Sequence, residues 1–235
     1  MKKSSIIINF ILILLSISFA VLIFNQNYVD KDWSKIDLNT VDNLMIVAHP
    51  DDELLWGGAH LLRDNYLVVC ITCGPNITRV NEFKNLMEQT GDQYIMLGYP
   101  DKILNIRSNW NDDKDDIYKD LSDIISLKSW NVIVTHNKVG EYGHLHHKLT
   151  HQIVLDVYND LNISDNLYFF GKYYTKSGLK KLSVKPDRIT DEELIKKTEL
   201  MDIYKSQSFI KEMFNQMFPY EEWTKYENIV SYEVK

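Results

Sequence analysis

Five consecutive residues, His49-Pro50-Asp51-Asp52-Glu53, put one imidazole and three carboxylates at a single point of the chain. They follow the apolar run Leu44-Met45-Ile46-Val47-Ala48 and precede Leu54-Leu55-Trp56-Gly57-Gly58. That pattern implies a strand that stops in an acidic turn, with a helix beginning after it. Crowding like charge away from water is costly unless a positive charge sits among the carboxylates. A divalent metal ion is the obvious candidate. The competing reading is a solvated acidic turn whose side chains cap the next helix. A second polar group lies far off in the chain. His136-Asn137-Lys138-Val139-Gly140-Glu141-Tyr142-Gly143-His144-Leu145-His146-His147 holds four of the seven histidines. It too follows an apolar run, Val132-Ile133-Val134-Thr135, and the three-residue spacing of His144 and His147 at a helix opening sets them on one side of it.

Something must bring these two groups together. From about Leu38 onward short apolar runs alternate with amphipathic ones. Strands are expected at Leu44–Ala48, Tyr66–Thr72, Tyr94–Leu97, Trp130–Thr135 and Leu167–Phe170. Helices are expected at Trp56–Arg63, Arg79–Thr90, Ile117–Leu127, His147–Asn159 and Asp191–Ser206. The implied fold class is α/β: a Rossmann-like, doubly wound, mostly parallel sheet with helices on both faces. Such sheets bind ligands beyond the carboxyl ends of their strands, where the winding reverses. If the first and fourth strands flank that reversal, the histidine loop faces the acidic turn.

Composition bounds the rest. The 235 residues, 45% of them hydrophobic, are enough for one α/β domain with a real core, and a net charge of −7 argues against a nucleic-acid-binding scaffold. Cys70 and Cys73 have the C-x-x-C spacing of a redox pair or half a zinc site. No second pair completes a four-cysteine site, and their place in a strand makes them buried thiols.

The N-terminus differs from everything after it. Lys2 and Lys3 precede Ile6 to Phe24, nineteen almost wholly apolar residues, long enough as a helix to cross a bilayer core. The expected division is a membrane anchor over 1–27, a linker over 28–37 and a catalytic domain over 38–235. The anchor makes the chain a single-pass membrane protein. The alternative is a signal peptide cleaved near Ser18-Phe19-Ala20, with secretion of the remainder. Asn76-Ile77-Thr78 and Asn162-Ile163-Ser164 fit the glycosylation pattern.

The string Ala48-His49-Pro50-Asp51-Asp52-Glu53, together with Gly143-His144-x-x-His147, resembles the LmbE/PIG-L family of zinc-dependent N-deacetylases. That family includes N-acetylglucosaminyl-phosphatidylinositol de-N-acetylase. Arg79-x-x-Glu82 and Leu97-Gly98-Tyr99-Pro100-Asp101 extend the resemblance, which runs from about Leu44 to Asn159. After Gly171 only Glu199-x-x-x-x-Tyr204-x-Ser206-Gln207 is similar to the family's late helix.

The resemblance implies a zinc ion, or another divalent metal, on His49, Asp52 and His147. It implies Asp51 as general base, His144 as oxyanion stabiliser and proton donor, and Glu53 in support. Arg79, Asp101 and Tyr142 are the implied substrate contacts, although Arg79 and Asp101 equally fit a helix-start salt bridge and a turn. His146 is expected to point away from its neighbours, and His136 to be a buried, hydrogen-bonded strand-end residue. The implied reaction removes acetyl from an N-acetylglucosamine-type conjugate, lipid- or glycan-linked, at a membrane and without nucleic acid. The alternatives are a zinc hydrolase of another amide or ester, and a non-catalytic sugar- or nucleotide-binding α/β protein. The G-x-G-x-x-G turn natural to the last is absent.

Overall fold

The computed structural model describes residues 9–16, 33–74, 76–164 and 166–227. Their centre is a sheet with the strand order β3-β2-β1-β6-β7-β8. These strands are β1 (Asn43–Val47), β2 (Tyr66–Thr72), β3 (Gln93–Tyr99), β6 (Val132–Thr135), β7 (Asn166–Phe170) and β8 (Trp223–Lys225). The pairs from β3 to β7 are parallel, and β8 is added antiparallel at the edge. A separate hairpin joins β4 (Lys102–Ile103) to β5 (Ile106–Arg107). The winding reverses between β1 and β6, as the alternation of elements predicted.

Every residue of β1 and β2 is buried, so these strands are apolar throughout rather than on one side. Alternation then divides them between two cores. Met45, Val47, Val68 and Cys70 pack on one face of the sheet with Leu54 and Leu61 of α1 (Asp52–Leu61) and with Phe83 and Leu86 of α2 (Ile77–Thr90). Leu44, Ile46, Leu67 and Val69 pack on the other with Leu121 and Ile124 of α3 (Lys114–Ile125) and Ile153 and Val157 of α4 (Leu145–Asp160). Three more helices follow: α5 (Lys176–Lys181), α6 (Asp191–Leu200) and α7 (Phe209–Phe214).

Some boundaries differ from the expected ones for physical reasons. Helix α1 begins at Asp52, four residues before the expected start at Trp56, where the ionised Asp52 in its first turn favours the positive end of the helix dipole. The helix expected over Asp191–Ser206 leaves the α conformation after Leu200 and passes through two 3-10 turns, Met201–Ile203 and Lys205–Gln207. Between them Tyr204, buried, turns inward to Glu53. Asn76, read as a glycosylation acceptor, caps α2 by accepting from the Arg79 N–H. Both thiols are buried and free: Cys70 lies in β2, and Cys73 stands just past its end in a left-handed conformation.

Of the apolar run at the N-terminus, residues 9–16 are described; they are helical and exposed. Among the described residues no helix is long and apolar enough to cross a membrane. The rest of the expected anchor, with Lys2, Lys3 and Ser18-Phe19-Ala20, lies outside them.

Candidate active site

The two loops leave the same edge of the sheet side by side. Ile46 of β1 is paired with Thr135 of β6. The Thr135 hydroxyl donates to the Ile46 carbonyl at 2.8 Å and that of Thr72 to Ala48 at 2.8 Å, which ties the three strand ends together. The Ala48 N–H in turn donates to His136 Nε2 at 2.9 Å. His136 is therefore the buried, hydrogen-bonded residue its position predicted.

The sheet brings His49, Asp52 and His147 together, with one ligand atom from each within 4.8 Å of the others. Asp52 lies between the rings: its Oδ2 is 3.2 Å from His49 Nδ1, and its Oδ1 is 3.2 Å from His147 Nε2. Hydrogen bonds on the far sides of the rings set their tautomers. Glu141 accepts from Nδ1 of His147 and, at 3.1 Å, from Nδ1 of His136. His147 Nε2 is then left with its lone pair, buried and without a hydrogen-bond partner, facing a carboxylate oxygen. Two electron-rich atoms so placed repel each other unless a proton or a metal cation lies between them. Two imidazoles and a carboxylate supply three ligands and leave a fourth position open, which fits a catalytic zinc or a similar divalent ion.

The local field favours that positive charge. Burial opposes ionisation of His147, but Asp52 and Glu141 outweigh it and hold its pKa above the ordinary value. The same holds for His49, where burial is outweighed by Asp101 and Asp52. Burial pushes Asp52 up, yet His147 and His136 hold it well below the usual carboxylate range.

His146 does not point away, contrary to its expected orientation. Its buried ring lies behind His49, stacked on Trp110 at 4.4 Å. Its Nε2 donates to the Ser108 carbonyl at 2.8 Å, so Nδ1 keeps a lone pair that accepts from His49 Nε2 at 3.0 Å. His49 Nε2 is thereby engaged on the far side of the ring, and Nδ1 faces Asp52. His146 thus orients His49, as partners of metal-binding imidazoles do.

Asp51 sits beside this group in a strained conformation. Its φ of 114° is one that L-residues other than Asn and Asp seldom adopt. Two contacts hold it there. Glu53 Oε2 accepts from the Asp51 N–H at 3.0 Å, and the other Glu53 oxygen accepts from the Tyr204 hydroxyl. Arg79 Nη2 donates to Asp51 Oδ2 at 2.9 Å and also to the Pro50 carbonyl. Burial, which outweighs Arg79, pushes the Asp51 carboxyl up to about 7. Burial likewise pushes Glu53 up to about 8, against the Tyr204 hydrogen bond.

His144 lies across from His49, edge-on at 4.7 Å, with its Nδ1 buried and unpartnered. Burial and the neighbouring His49 and His147 push its pKa down to about 2, so the ring is neutral and offers an N–H.

His49, Asp51, Asp52 and His144 open into one cleft of about 730 Å³, while His147 and the supporting groups lie behind them. Arg79, Asp101 and Tyr142 line it, with Lys102, Arg107 and Gln207. The Arg79 guanidinium is committed to Asp51, the salt bridge its position at the start of α2 also predicted. Asp101 stands 3.7 Å from His49 Nε2, and burial is outweighed by His49 in lowering its pKa. Tyr142 packs against Phe214, the rings tilted with centroids 5.1 Å apart, and is half exposed at the mouth.

Glu141 and Tyr204 carry no role in the sequence reading. The signal for Glu141 was the lone acid inside the histidine loop. Tyr204 had none beyond the resemblance of its segment to the family's late helix.

Comparison with known proteins agrees with this geometry. The family model described as "PIG-L: GlcNAc-PI de-N-acetylase" matches residues 44–158, which contain every candidate ligand. Uncharacterized protein L374 of Acanthamoeba polyphaga mimivirus is 33% identical over 186 residues, 72% of this chain and 73% of the relative. Among solved structures, the A40926 pseudoaglycone deacetylase Dbv21 superposes with a TM-score of 0.55 at 17% identity, covering 76% of this chain and 87% of that one. GalB, the 4-carboxy-2-hydroxymuconate hydratase of Pseudomonas putida KT2440, gives 0.55 at 15% identity over 75% and 84%. One neighbour is a deacetylase and the other a hydratase, so at these identities they show the fold and leave the reaction to the site.

Proposed function

The chain belongs to the PIG-L family, and on that premise we propose that it is a zinc-dependent amidohydrolase that removes acetyl from an N-acetylglucosamine-type conjugate, lipid- or glycan-linked. The observation that carries the reading is the buried cluster of His49, Asp52 and His147, with His147 Nε2 3.2 Å from Asp52 and without a hydrogen-bond partner, and with Asp51 buried alongside and outside the ligand set. A divalent ion held by His49, Asp52 and His147 would acidify a water and polarise the acyl oxygen.

The chain's own groups do the rest. Asp51, held by Arg79 and Glu53, takes the proton of the attacking water and returns it to the amine as the C–N bond breaks, leaving acetate and a free amino sugar. His144 donates its N–H to the oxyanion of the tetrahedral intermediate. Arg79, Asp101 and Tyr142 contact the sugar from the cleft wall. The apolar run Ile6–Phe24 tethers the chain to a membrane.

Acetate release by the full chain, measured on free N-acetylglucosamine, its phosphatidylinositol conjugate and N-acetylated oligosaccharides, tests the reading. Release is expected from at least one conjugate, lost on chelation and restored by added zinc. Release that survives chelation overturns the metal, and silence across the panel overturns the substrate class. Glu141→Gln should weaken zinc binding by about 10–100-fold, because the partner that fixes the His147 tautomer is lost. Competition with a chelating dye reads that affinity directly, and an unchanged affinity would remove Glu141 from the metal's support.

A further inference from the structure

The hairpin β4–β5 is built against the interests of its own fold. Its turn residues Leu104 and Asn105 have φ of 51° and 64°, the geometry of a type I′ turn, in which Asn-Gly is the favoured pair and a leucine is strained. Lys102 lies directly opposite Arg107, a like-charge pair that destabilises a two-stranded ribbon. Ile103 lies opposite Ile106, and this pair points into solvent together with the turn: Leu104 is 82% exposed, Ile106 73% and Ile103 50%. Strain, like charge and bare aliphatic surface in one short ribbon imply a role outside the fold.

A second element at the cleft repeats the motif. On α7, Ile210 and Phe214 are buried, whereas Phe209 and Met213, four apart on the neighbouring stripe, are each 52% exposed. Lys102, Arg107, Phe209 and Met213 all line the same cleft. Two elements that border the cleft therefore expose apolar groups, and one of them carries a pair of cations at its base.

We propose that the mouth of the cleft docks on a bilayer bearing anionic headgroups, with the Ile103–Ile106 turn and the Phe209/Met213 stripe in the apolar margin and Lys102 and Arg107 at headgroup level. Charge complementarity selects this occupant. The chain as a whole is acidic, at −7, so a local cation pair flanked by aliphatic side chains fits an anionic interface rather than a generally attractive surface. The run Ile6–Phe24 brings a tether to the same surface. Docking in this orientation lets a lipid-linked substrate reach the cleft without leaving the membrane. The proposal stands whether or not the cleft removes acetyl.

The test is depth-dependent quenching in the full chain. Leu104→Cys and, separately, Phe209→Cys are labelled with an environment-sensitive fluorophore; the native thiols are buried. Asp64→Cys, at the opposite end of β2, is the control, since a tether alone would hold the chain to vesicles without immersing either element. With phosphatidylcholine vesicles containing phosphatidylserine and nitroxide-labelled lipid, quenching at 104 and 209 should exceed that at 64 several-fold. It should fall when phosphatidylserine is omitted. Bound chain with 104 and 209 quenched no more than 64 overturns the proposal, as does equal quenching on neutral vesicles. A shift at 104 that follows protein concentration without vesicles overturns it in favour of a second copy of the chain.

Discussion

Replacing Asp51 by asparagine should leave a protein that binds its metal normally and turns over about 10²–10⁴-fold more slowly, the usual contribution of a general base. Asparagine is the right probe for geometric reasons. It tolerates positive φ better than alanine, and the backbone at this position has a φ of 114°. Its amide oxygen can still accept from Arg79, whose guanidinium otherwise keeps only the Pro50 carbonyl. Asp51→Ala would mix lost chemistry with backbone strain. The metal should stay because Asp51 lies outside the group formed by His49, Asp52 and His147. His147→Ala, by contrast, should lose metal and turnover together.

The pH profile supplies a second signature. The base works as a carboxylate, so activity must rise as pH rises through the Asp51 pKa. Burial pushes that pKa up to about 7, and a cation bound beside it lowers it. The wild type should therefore show an ascending limb below pH 7 that Asp51→Asn lacks. An asparagine variant with wild-type kcat would falsify the base assignment, whatever the metal content.

The acidic turn and the histidine loop were legible because each is short and sits at a strand end, where a local pattern predicts the geometry. Their meeting followed from the alternation of strands and helices. What the pattern could not carry is how the later chain braces the turn. Tyr204 reaches Glu53 across 151 positions, and Ser206 holds Glu82 across 124. Neither residue type nor spacing encodes such pairings, which exist only once two cores are packed. The orientation of His146 failed for a related reason. Helical spacing alone turns it from His144 and His147, but the carbonyl of Ser108 and the ring of Trp110 define a slot that draws it behind His49. The hairpin escaped notice because Leu104-Asn105 lacks the glycine that marks a type I′ turn.

The largest effect on stability is expected far from the ligands, at Lys197. This lysine of α6 is fully buried. Its ammonium donates to the Leu55 carbonyl at 2.9 Å and to Glu221 at 2.6 Å. Glu221, also buried, accepts the Ala59 N–H at 2.8 Å and lies 3.0 Å from His60 Nδ1. The pair thus clamps α1, whose first turn carries Asp52 and Glu53. Lys197→Met fills similar volume but strands a buried carboxylate, and removing one partner of such a pair costs about 3–5 kcal/mol. The denaturation midpoint at pH 7 should fall accordingly, with an unchanged denaturant slope.

The sign of the pH dependence separates a stranded charge from lost packing. In the wild type, burial raises the Glu221 pKa but Lys197 and His60 outweigh it and hold it low, so this stabilisation is present above the unfolded value of about 4.3 and lost as pH falls through the folded one. Without Lys197 the buried carboxyl should shift upward instead, and the variant should lose stability as pH rises above about 4.3. The deficit against wild type should therefore widen between acid and neutral pH. Adding Glu221→Gln should recover most of it, since the amide oxygen still accepts from Ala59 and no charge is left behind. A deficit independent of pH and unrelieved by Glu221→Gln would mean that Lys197 acts through packing of its alkyl stem, which lies against Gly58.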